Sequence, residues 1–122
     1  MKLKFFDLAR KLSKKSNHHQ HKLGCVIVKR NRIIGLGFNQ IKTHTKSNNE
    51  FKMLHAEISA LLGISYEDLD GCDVYIYREH KNSIRAMAKP CSACEQALKM
   101  AGIKRVFFTI EDDYGCLDLR KL

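Results

Sequence analysis

Two short stretches of the chain hold the residues best suited to metal or acid–base chemistry. "MLHAEISALLG" contains His55 and Glu57, and "KPCSACEQALKMAG" contains Cys91 and Cys94. Each stretch continues into an apolar helical pattern, so both pairs are predicted at helix N-termini. Alone, the first pair can be two polar residues at a helix start, and the second can be a redox motif. Their combination, with a predicted strand between them, indicates one shared site.

Zinc is the metal that this combination of side chains favours. Cys91 and Cys94 are three residues apart at the start of a helix and therefore share one face. Two thiolates and the imidazole of His55 leave the fourth tetrahedral position of Zn²⁺ open to water, which is the arrangement of catalytic sites. A helix N-terminus also favours a thiolate. Glu57, too close to His55 to be a ligand of the same kind, is predicted to move a proton between that water and a leaving nitrogen.

The other three cysteines are interpreted as structural. Five cysteines in a chain of cytosolic type argue against a disulfide framework. Cys25 lies in the apolar run "CVIV", and Cys72 and Cys116 border predicted strands. A closed structural zinc site is the alternative to an open one, and it would require Cys72 or Cys116 as a fourth ligand.

Hydrophobic periodicity and turn residues predict the elements that position these side chains. Helices are predicted at 3–15, at 54–63 and from Pro90 to about Ala101. Loops are predicted at 40–53 and 79–89. The predicted strands are the arms of a hairpin in "GCVIVKRNRIIGLGFN" with its turn at Lys29–Arg32, then "CDVYIYR", "RVFFTI" and "CLDLRKL".

The connection between the last two strands decides the fold class. "EDDYG" has only five residues, whereas a parallel crossover needs about a dozen or more. The last strand is therefore predicted to run antiparallel to its predecessor, in a mixed sheet with helices on both faces. Since the sequence has no repeats and no linker rich in proline or glycine, residues 1–122 are predicted to form one α/β domain.

The net charge of +9 is concentrated near the N-terminus. Residues 1–32 contain ten Lys or Arg and one acid, and the remaining ninety contain twelve of each sign. This basic segment is either a contact surface for a polyanion or a solvated helix face. The 44% of apolar residues suffice for a core, and no apolar run approaches the ~20 residues of a membrane span. Without a signal-peptide pattern, the chain is expected to be cytoplasmic and not membrane-bound.

The two motifs resemble the signature of the zinc-dependent cytidine and deoxycytidylate deaminase superfamily, H-x-E followed by P-C-x-x-C. The matching residues are "HAE" and "PCSAC", and the likeness extends to the first helix, the hairpin with "GFN", and "AGIKRVFF". The chain is most similar to small deaminase-like proteins of phages and bacteria. In the family the strand often runs almost directly into the second motif, whereas here "EHKNSIRAMAK" intervenes. The role of residues 79–89 is therefore open.

The resemblance implies a three-layer α/β/α fold of the cytidine-deaminase type, with zinc held by His55, Cys91 and Cys94. It implies a hydrolase that removes the amino group of a nucleobase, with Glu57 as the proton carrier. It also suggests that Asn39, at the end of the second strand, hydrogen-bonds the base or the sugar. The other interpretation of Asn39 is a turn former at a strand end. Because the family often forms dimers or tetramers, a homo-oligomer is expected.

The resemblance favours cytosine over adenine as the base. A cytidine or deoxycytidine nucleotide or nucleoside is the preferred substrate, and cytosine in single-stranded DNA or RNA is the alternative. A zinc-stabilised nucleic-acid-binding module without turnover is the third interpretation. In this fold the first helix packs on the sheet face opposite the metal site, so much of the basic segment is expected behind it. The basic residues expected to reach a phosphate are those of 18–22, of Lys29–Arg32 and of the loops: Lys42, Lys46, Lys52, Arg78, Lys81, Arg85 and Lys89.

Overall fold

The computed structural model of the chain describes residues 1–18, 21–43 and 51–120. Within these ranges the helices are α1 (Leu3–Ser13), α2 (Ala56–Leu61), α3 (Tyr66–Leu69) and α4 (Ser92–Met100). The strands are β1 (Leu23–Lys29), β2 (Arg32–Phe38), β3 (Gln40–Thr43), β4 (Phe51–Leu54), β5 (Asp73–Arg78), β6 (Arg105–Ile110) and β7 (Asp113–Asp118).

Five of the strands form one mixed sheet in the order β2-β1-β5-β6-β7. β1 pairs antiparallel with both β2 and β5, β5 pairs parallel with β6, and β6 pairs antiparallel with β7. The parallel pair is the one that α4 connects, as a crossover of this kind requires. The predicted mixed sheet and the antiparallel last strand are confirmed.

Helices cover both faces of this sheet because the central strands have runs of consecutive apolar residues, whose side chains point to the two faces in turn. In β1, Val26 and Val28 face α1, whereas Cys25 and Ile27 face the opposite side. Phe5, Phe6, Ala9 and Leu12 of α1 complete the first core, and residues of α2, α3 and α4 complete the second, among them Ala56, Ala60, Leu69 and Leu98. The result is the predicted arrangement of three layers.

Two glycines allow helix backbone to lie directly against the sheet. A Cβ at Gly24 would lie 1.9 Å from the carbonyl oxygen of Ala9 in α1. A Cβ at Gly37 would lie 2.4 Å from the amide nitrogen of Ala60 and 2.5 Å from the carbonyl oxygen of Ala56, both in α2. Each helix therefore approaches its strand at a distance that no side chain permits.

The predicted loop at 40–53 is wrong at both ends. β3 and β4 pair antiparallel as a separate two-stranded sheet, with Gln40 opposite Leu54 and Thr43 opposite Phe51. Each of these strands has only four residues, and β3 is mostly polar, so neither shows an alternation long enough to predict a strand. Residues 44–50 of the predicted loop lie outside the described residues.

Several predicted boundaries also change. α2 is shorter than the predicted 54–63, and α4 begins at Ser92, so Pro90 precedes the helix instead of occupying its first turn. β7 begins at Asp113, three residues earlier than predicted, because the chain reverses over two residues, with Asp112 at φ 56°. The single-turn helix α3 was not predicted.

The hairpin of β1 and β2 is confirmed with its predicted turn. Lys29 pairs with Arg32, and the two residues between them, Arg30 and Asn31, have positive φ values of 50° and 65°. Two-residue hairpin turns of this kind match the twist of the flanking strands.

Residues 79–89 belong to none of the helices and strands given above, as predicted. No helix in the described parts of the chain combines the length and the apolar character needed to cross a bilayer.

Candidate active site

The three predicted metal ligands lie together at the N-termini of two helices. His55 is the N-cap residue of α2, Cys91 is the N-cap residue of α4, and Cys94 lies in the first turn of α4. Their ligand atoms all lie within 4.8 Å of one another. Neither N-cap side chain bonds to its own helix, so the imidazole and the thiol are both available to a ligand.

The distances in this group fit a tetrahedral zinc ion. Nδ1 of His55 lies 3.2 Å from Sγ of Cys94 and 4.0 Å from Sγ of Cys91. Ordinary Zn–N and Zn–S bond lengths place nitrogen and sulfur about 3.5 Å apart in a tetrahedral site. The two observed distances bracket that value, and both point to Nδ1 as the ligand atom of His55. The group is therefore suited to hold a metal ion.

Glu57 lies next to this group and is shielded from water. It belongs to the first turn of α2 and is 3% exposed. Burial raises the pKa of the Cys94 thiol, and the charge and a hydrogen bond of Glu57 raise it further. A bound cation acts in the opposite direction, because it stabilises the thiolate. Metal binding at this group is therefore coupled to proton release.

A cavity of about 310 Å³ opens beside the metal-binding group, and every predicted site residue except Cys94 lines it. His55, Glu57, Cys91 and Asn39 all line it. A second, smaller cavity of about 200 Å³ adjoins His55, Cys91 and Cys94 on an apolar surface that includes Leu54 and Ile58. Of these two cavities, the first is the one that Glu57 lines.

Asn39 occupies the cavity wall and also fastens the start of β1. It is 3% exposed, its Oδ1 accepts a hydrogen bond from the Leu23 amide at 2.8 Å, and its Nδ2 donates to the His21 carbonyl at 2.5 Å. These bonds join the ends of β1 and β2. The contact of Asn39 with a substrate stays a prediction.

Sequence reasoning missed part of the cavity wall. Met87 and Ala88 line it, although no motif marked them, and His21 lines it together with Arg78 and Lys89. These last three residues all belong to the set expected to reach a phosphate, since that set includes the basic residues of 18–22. Other members of that set lie elsewhere: Lys29, Arg30 and Arg32 line a different cavity beside Asp68, and Lys81 lines a third; Lys46 lies outside the described residues.

The remaining cysteines are placed differently from one another. Cys25 is fully buried in the sheet, where burial and then the charges of Glu57 and Cys94 raise the pKa of its thiol. Cys72 is also buried, which fits the structural interpretation, whereas Cys116 is exposed on the edge strand β7. Neither Cys72 nor Cys116 belongs to the metal-binding group found among the described residues. Among the described residues, this group therefore offers three protein ligands and not four.

A mixed sheet between helical layers, with a His-Cys-Cys group and a buried glutamate at two helix N-termini, defines the class of zinc-dependent nucleobase deaminases. Residues 1–110 match the profile of the cytidine and deoxycytidylate deaminase zinc-binding region. The chain belongs to this family. The predicted enzyme class, a hydrolytic deaminase, is confirmed at this level.

Individual relatives are distant but cover most of the chain. An uncharacterized deaminase of the luxG 3′ region in Aliivibrio fischeri is 30% identical in an alignment of 112 positions, gaps included, that covers 85% of this chain and 69% of the relative. The deoxycytidylate deaminase of Mycobacterium phage D29 is 27% identical in an alignment of 128 positions, gaps included, that covers 88% of this chain and 92% of the relative. The similarity to a phage deaminase agrees with the resemblance stated from the motifs.

Solved structures support the fold and the family. The apo crystal structure of dCMP deaminase from the cyanophage S-TIM5 superposes with a TM-score of 0.66 at 25% identity, covering 88% of this chain and 84% of that chain. Cytidine deaminase from Burkholderia pseudomallei superposes with a TM-score of 0.71 at 16% identity, covering 98% and 93%. At that identity the second likeness concerns the fold alone.

Proposed function

We propose that the chain deaminates the cytosine of a deoxycytidine or cytidine nucleotide, with dCMP as the first substrate to test. The observation that carries this proposal is the position of Glu57, buried beside the His-Cys-Cys group and lining the cavity. A binding module would have no use for a buried carboxylate at that point. The deoxycytidylate deaminase of phage D29 and the dCMP deaminase of cyanophage S-TIM5 support a nucleotide substrate.

The residues have separate roles in this reaction, which converts cytosine and water to uracil and ammonia. His55, Cys91 and Cys94 hold zinc, which when bound lowers the pKa of water to about 7. Glu57 takes a proton from the attacking water and delivers it to ring nitrogen N3. Glu57 then carries the remaining hydroxyl proton to the amino nitrogen, which leaves as ammonia while the C4 carbonyl of uracil forms. Its burial keeps bulk water from competing for that proton.

The cavity wall orients the nucleotide for this proton transfer. Asn39 is held by its bonds to Leu23 and His21, so its amide is positioned before a substrate enters. We infer that it contacts the sugar or the base. The expected self-association is not needed to complete the group of ligands, which all lie in one chain, and it stays a prediction.

Glu57→Gln tests the proposed reaction. Ammonia release should be measured with zinc-loaded protein on dCMP, deoxycytidine, cytidine and a cytosine-containing single-stranded oligonucleotide. We expect turnover of dCMP, and we expect Glu57→Gln to lower kcat by about 10²- to 10⁴-fold because the proton carrier is lost. Zinc content should stay near that of the unmodified chain.

Glu67→Gln, an exposed substitution on α3, is the matched control and should retain turnover. Turnover of the oligonucleotide alone would replace the proposal with a polynucleotide deaminase. No ammonia from any of the four substrates, with zinc bound, would leave the binding module as the function.

A further inference from the structure

The cavity contains three nitrogen-bearing side chains that the proposed deamination does not use. His21, Arg78 and Lys89 line it together with Glu57, which is the only carboxylate of the described residues on its wall. Arg78 is the last residue of β5, and Lys89 lies two residues before Cys91. One side of the cavity is therefore basic and adjoins the metal-binding group.

Arg78 is held in one orientation by its neighbours. Its Nη1 donates to the Met87 carbonyl at 3.1 Å, and its Nη2 lies 2.7 Å from Nδ1 of His21. Burial, followed by the charges of Arg78 and His18, lowers the pKa of His21. The neutral imidazole accepts the hydrogen bond from Nη2, so the guanidinium is the donor of the pair.

The backbone of Arg78 is fixed as firmly as its side chain. Its amide donates to Oγ1 of Thr109 at 3.1 Å, and its carbonyl accepts from the Ala86 amide at 2.9 Å. Thr109 is fully buried and its hydroxyl also donates to the Ala86 carbonyl at 2.7 Å. Strand β6 and the returning end of residues 79–89 thus hold Arg78 from two sides.

The charge of Arg78 is left without an acidic partner among the described residues. Arg10, Arg85, Arg105 and Arg120 each pair with a carboxylate within 4.0 Å, whereas Arg78 pairs with none. A guanidinium has five N–H donors, and the two bonds to Met87 and His21 use only part of them. A rigid, unneutralised guanidinium in a concave site is suited to bidentate binding of a phosphate.

We propose that Arg78, assisted by Lys89, binds the 5′-phosphate of the nucleotide and so selects the nucleoside monophosphate over the free nucleoside. This inference rests on the proposed function and adds the substrate subsite. Arg78 supplies the oriented fork of donors, and Lys89 supplies a second positive charge. The hydrogen bonds that Arg78 donates to His21 and Met87 hold its guanidinium at the cavity wall before substrate binds.

The test compares dCMP with deoxycytidine on Arg78→Gln and Lys89→Gln. For Arg78→Gln we expect kcat/KM on dCMP to fall about 100-fold, mostly through KM, because the phosphate is bound equally in ground and transition states. The loss on deoxycytidine should be at least about thirtyfold smaller, and Arg78→Lys should recover part of the difference because it keeps the charge. Lys89→Gln should lose about tenfold on dCMP.

The matched control is Lys99→Gln in the last turn of α4, where the lysine is exposed and lines none of the cavities described above. It should retain the preference for dCMP. Equal losses on dCMP and deoxycytidine in Arg78→Gln would show a structural role and overturn the proposal, and so would an unchanged preference.

Binding separates this proposal from the proposed function. Calorimetric binding of dCMP and deoxycytidine to Glu57→Gln, with and without Arg78→Gln, needs no turnover. A preference for dCMP that disappears with Arg78→Gln supports the subsite even if no substrate is deaminated. Absence of any preference for dCMP in the Glu57→Gln protein overturns the subsite even if deamination is observed.

Discussion

The two faces of the central sheet are built from different kinds of side chain. On the α1 face the core is aromatic: the Tyr75 ring lies 5.2 Å from Phe5, 5.1 Å from Phe6 and 4.9 Å from Phe107, measured between centroids. On the opposite face α2 meets the sheet through Ala56, Ala60 and a glycine. That second face carries the metal-binding group.

The packing on the α1 face mainly stabilises the fold, whereas the packing on the α2 face also positions the residues of the site. Aromatic rings bury a large apolar area, so on the α1 face they contribute chiefly to stability. Small residues allow the backbone of a helix to contact the backbone of a strand, so they fix the position of the helix N-terminus. The N-terminus of α2 presents His55 and Glu57, and a shift of that helix displaces both. We therefore expect changes on the α1 face to affect stability and changes on the α2 face to affect chemistry as well.

The largest effect is expected from a ligand substitution on the α2 and α4 face. Cys91→Ser removes one of three zinc ligands, so we expect zinc affinity to fall at least about 100-fold and turnover to be lost with it. Zinc content and the free energy of unfolding, each measured with and without a chelator, check this. Cys116→Ser, on the exposed edge strand, is the matched control and should bind zinc normally. Full zinc occupancy in Cys91→Ser would remove Cys91 from the site.

A pair of glycine substitutions tests the comparison between the faces directly. Gly24→Ala presses on the backbone of α1 and Gly37→Ala presses on the backbone of α2. Both should lower the free energy of unfolding by about 1–3 kcal/mol through overpacking. Only Gly37→Ala should also lower kcat, by about 10- to 100-fold, since a misplacement of about 1 Å costs that much. Equal kcat values for the two folded variants would contradict the distinction.

The smallest effect is expected at Glu79, which is fastened to the α1 face. Its carboxylate accepts hydrogen bonds from Tyr77, Arg10 and Lys14, and its side chain is 7% exposed. Burial raises the pKa of Glu79, but the hydrogen bonds from Lys14, Tyr77 and Arg10 outweigh it and lower the pKa overall. In the same group, burial and then Glu79 raise the pKa of Tyr77 to about 12, so the phenol stays protonated and donates.

Glu79→Gln should lower the free energy of unfolding by about 1–2 kcal/mol at neutral pH. Because the folded carboxyl has the lower pKa, its contribution is complete above the unfolded value of about 4.3 and is lost as the pH falls through the folded value. Denaturant unfolding from pH 7 to pH 3 should show the two proteins converging at the acid end. Glu111→Gln, 83% exposed at its side chain, is the control. A loss of turnover as large as that of Gly37→Ala would contradict the separation of the faces.

The metal-binding group could be predicted because its information is local. Glu57 lies two residues after His55, and Cys94 lies three residues after Cys91. Each pair lies at the start of a helix, so the two spacings and the chemistry of the side chains were enough to predict the group. The antiparallel β7 followed from the length of one connection. α3 has a signal in the sequence, which is Ser65 three residues before Asp68. In the structure the Ser65 hydroxyl accepts a hydrogen bond from the Asp68 amide at 3.2 Å, as in a helix N-terminal cap.

The rest of the site depends on contacts between distant parts of the chain. Arg78 meets His21 across 57 positions, and Asn39 meets His21 across 18. No spacing rule connects such residues. The sequence does not reveal the role of Gly37 either. A glycine that allows a helix to pack closely and a glycine in a turn cannot be distinguished by residue type alone. Tertiary packing decides between them.

The segment after β5 leaves the sheet and returns to the place it left. The Ala86 amide bonds to the Arg78 carbonyl at 2.9 Å, and Glu79 forms an antiparallel bridge with Arg85, so residues 79–85 close on themselves. The entropy of closing such a loop grows only slowly with its length. Inside that closure, residues can therefore be gained or lost between 80 and 84 at little cost while Glu79, Pro90 and Cys91 keep their places. None of residues 80–84 lines the cavity beside the metal-binding group. The catalytic geometry and the surface formed by residues 80–84 can consequently evolve independently of each other.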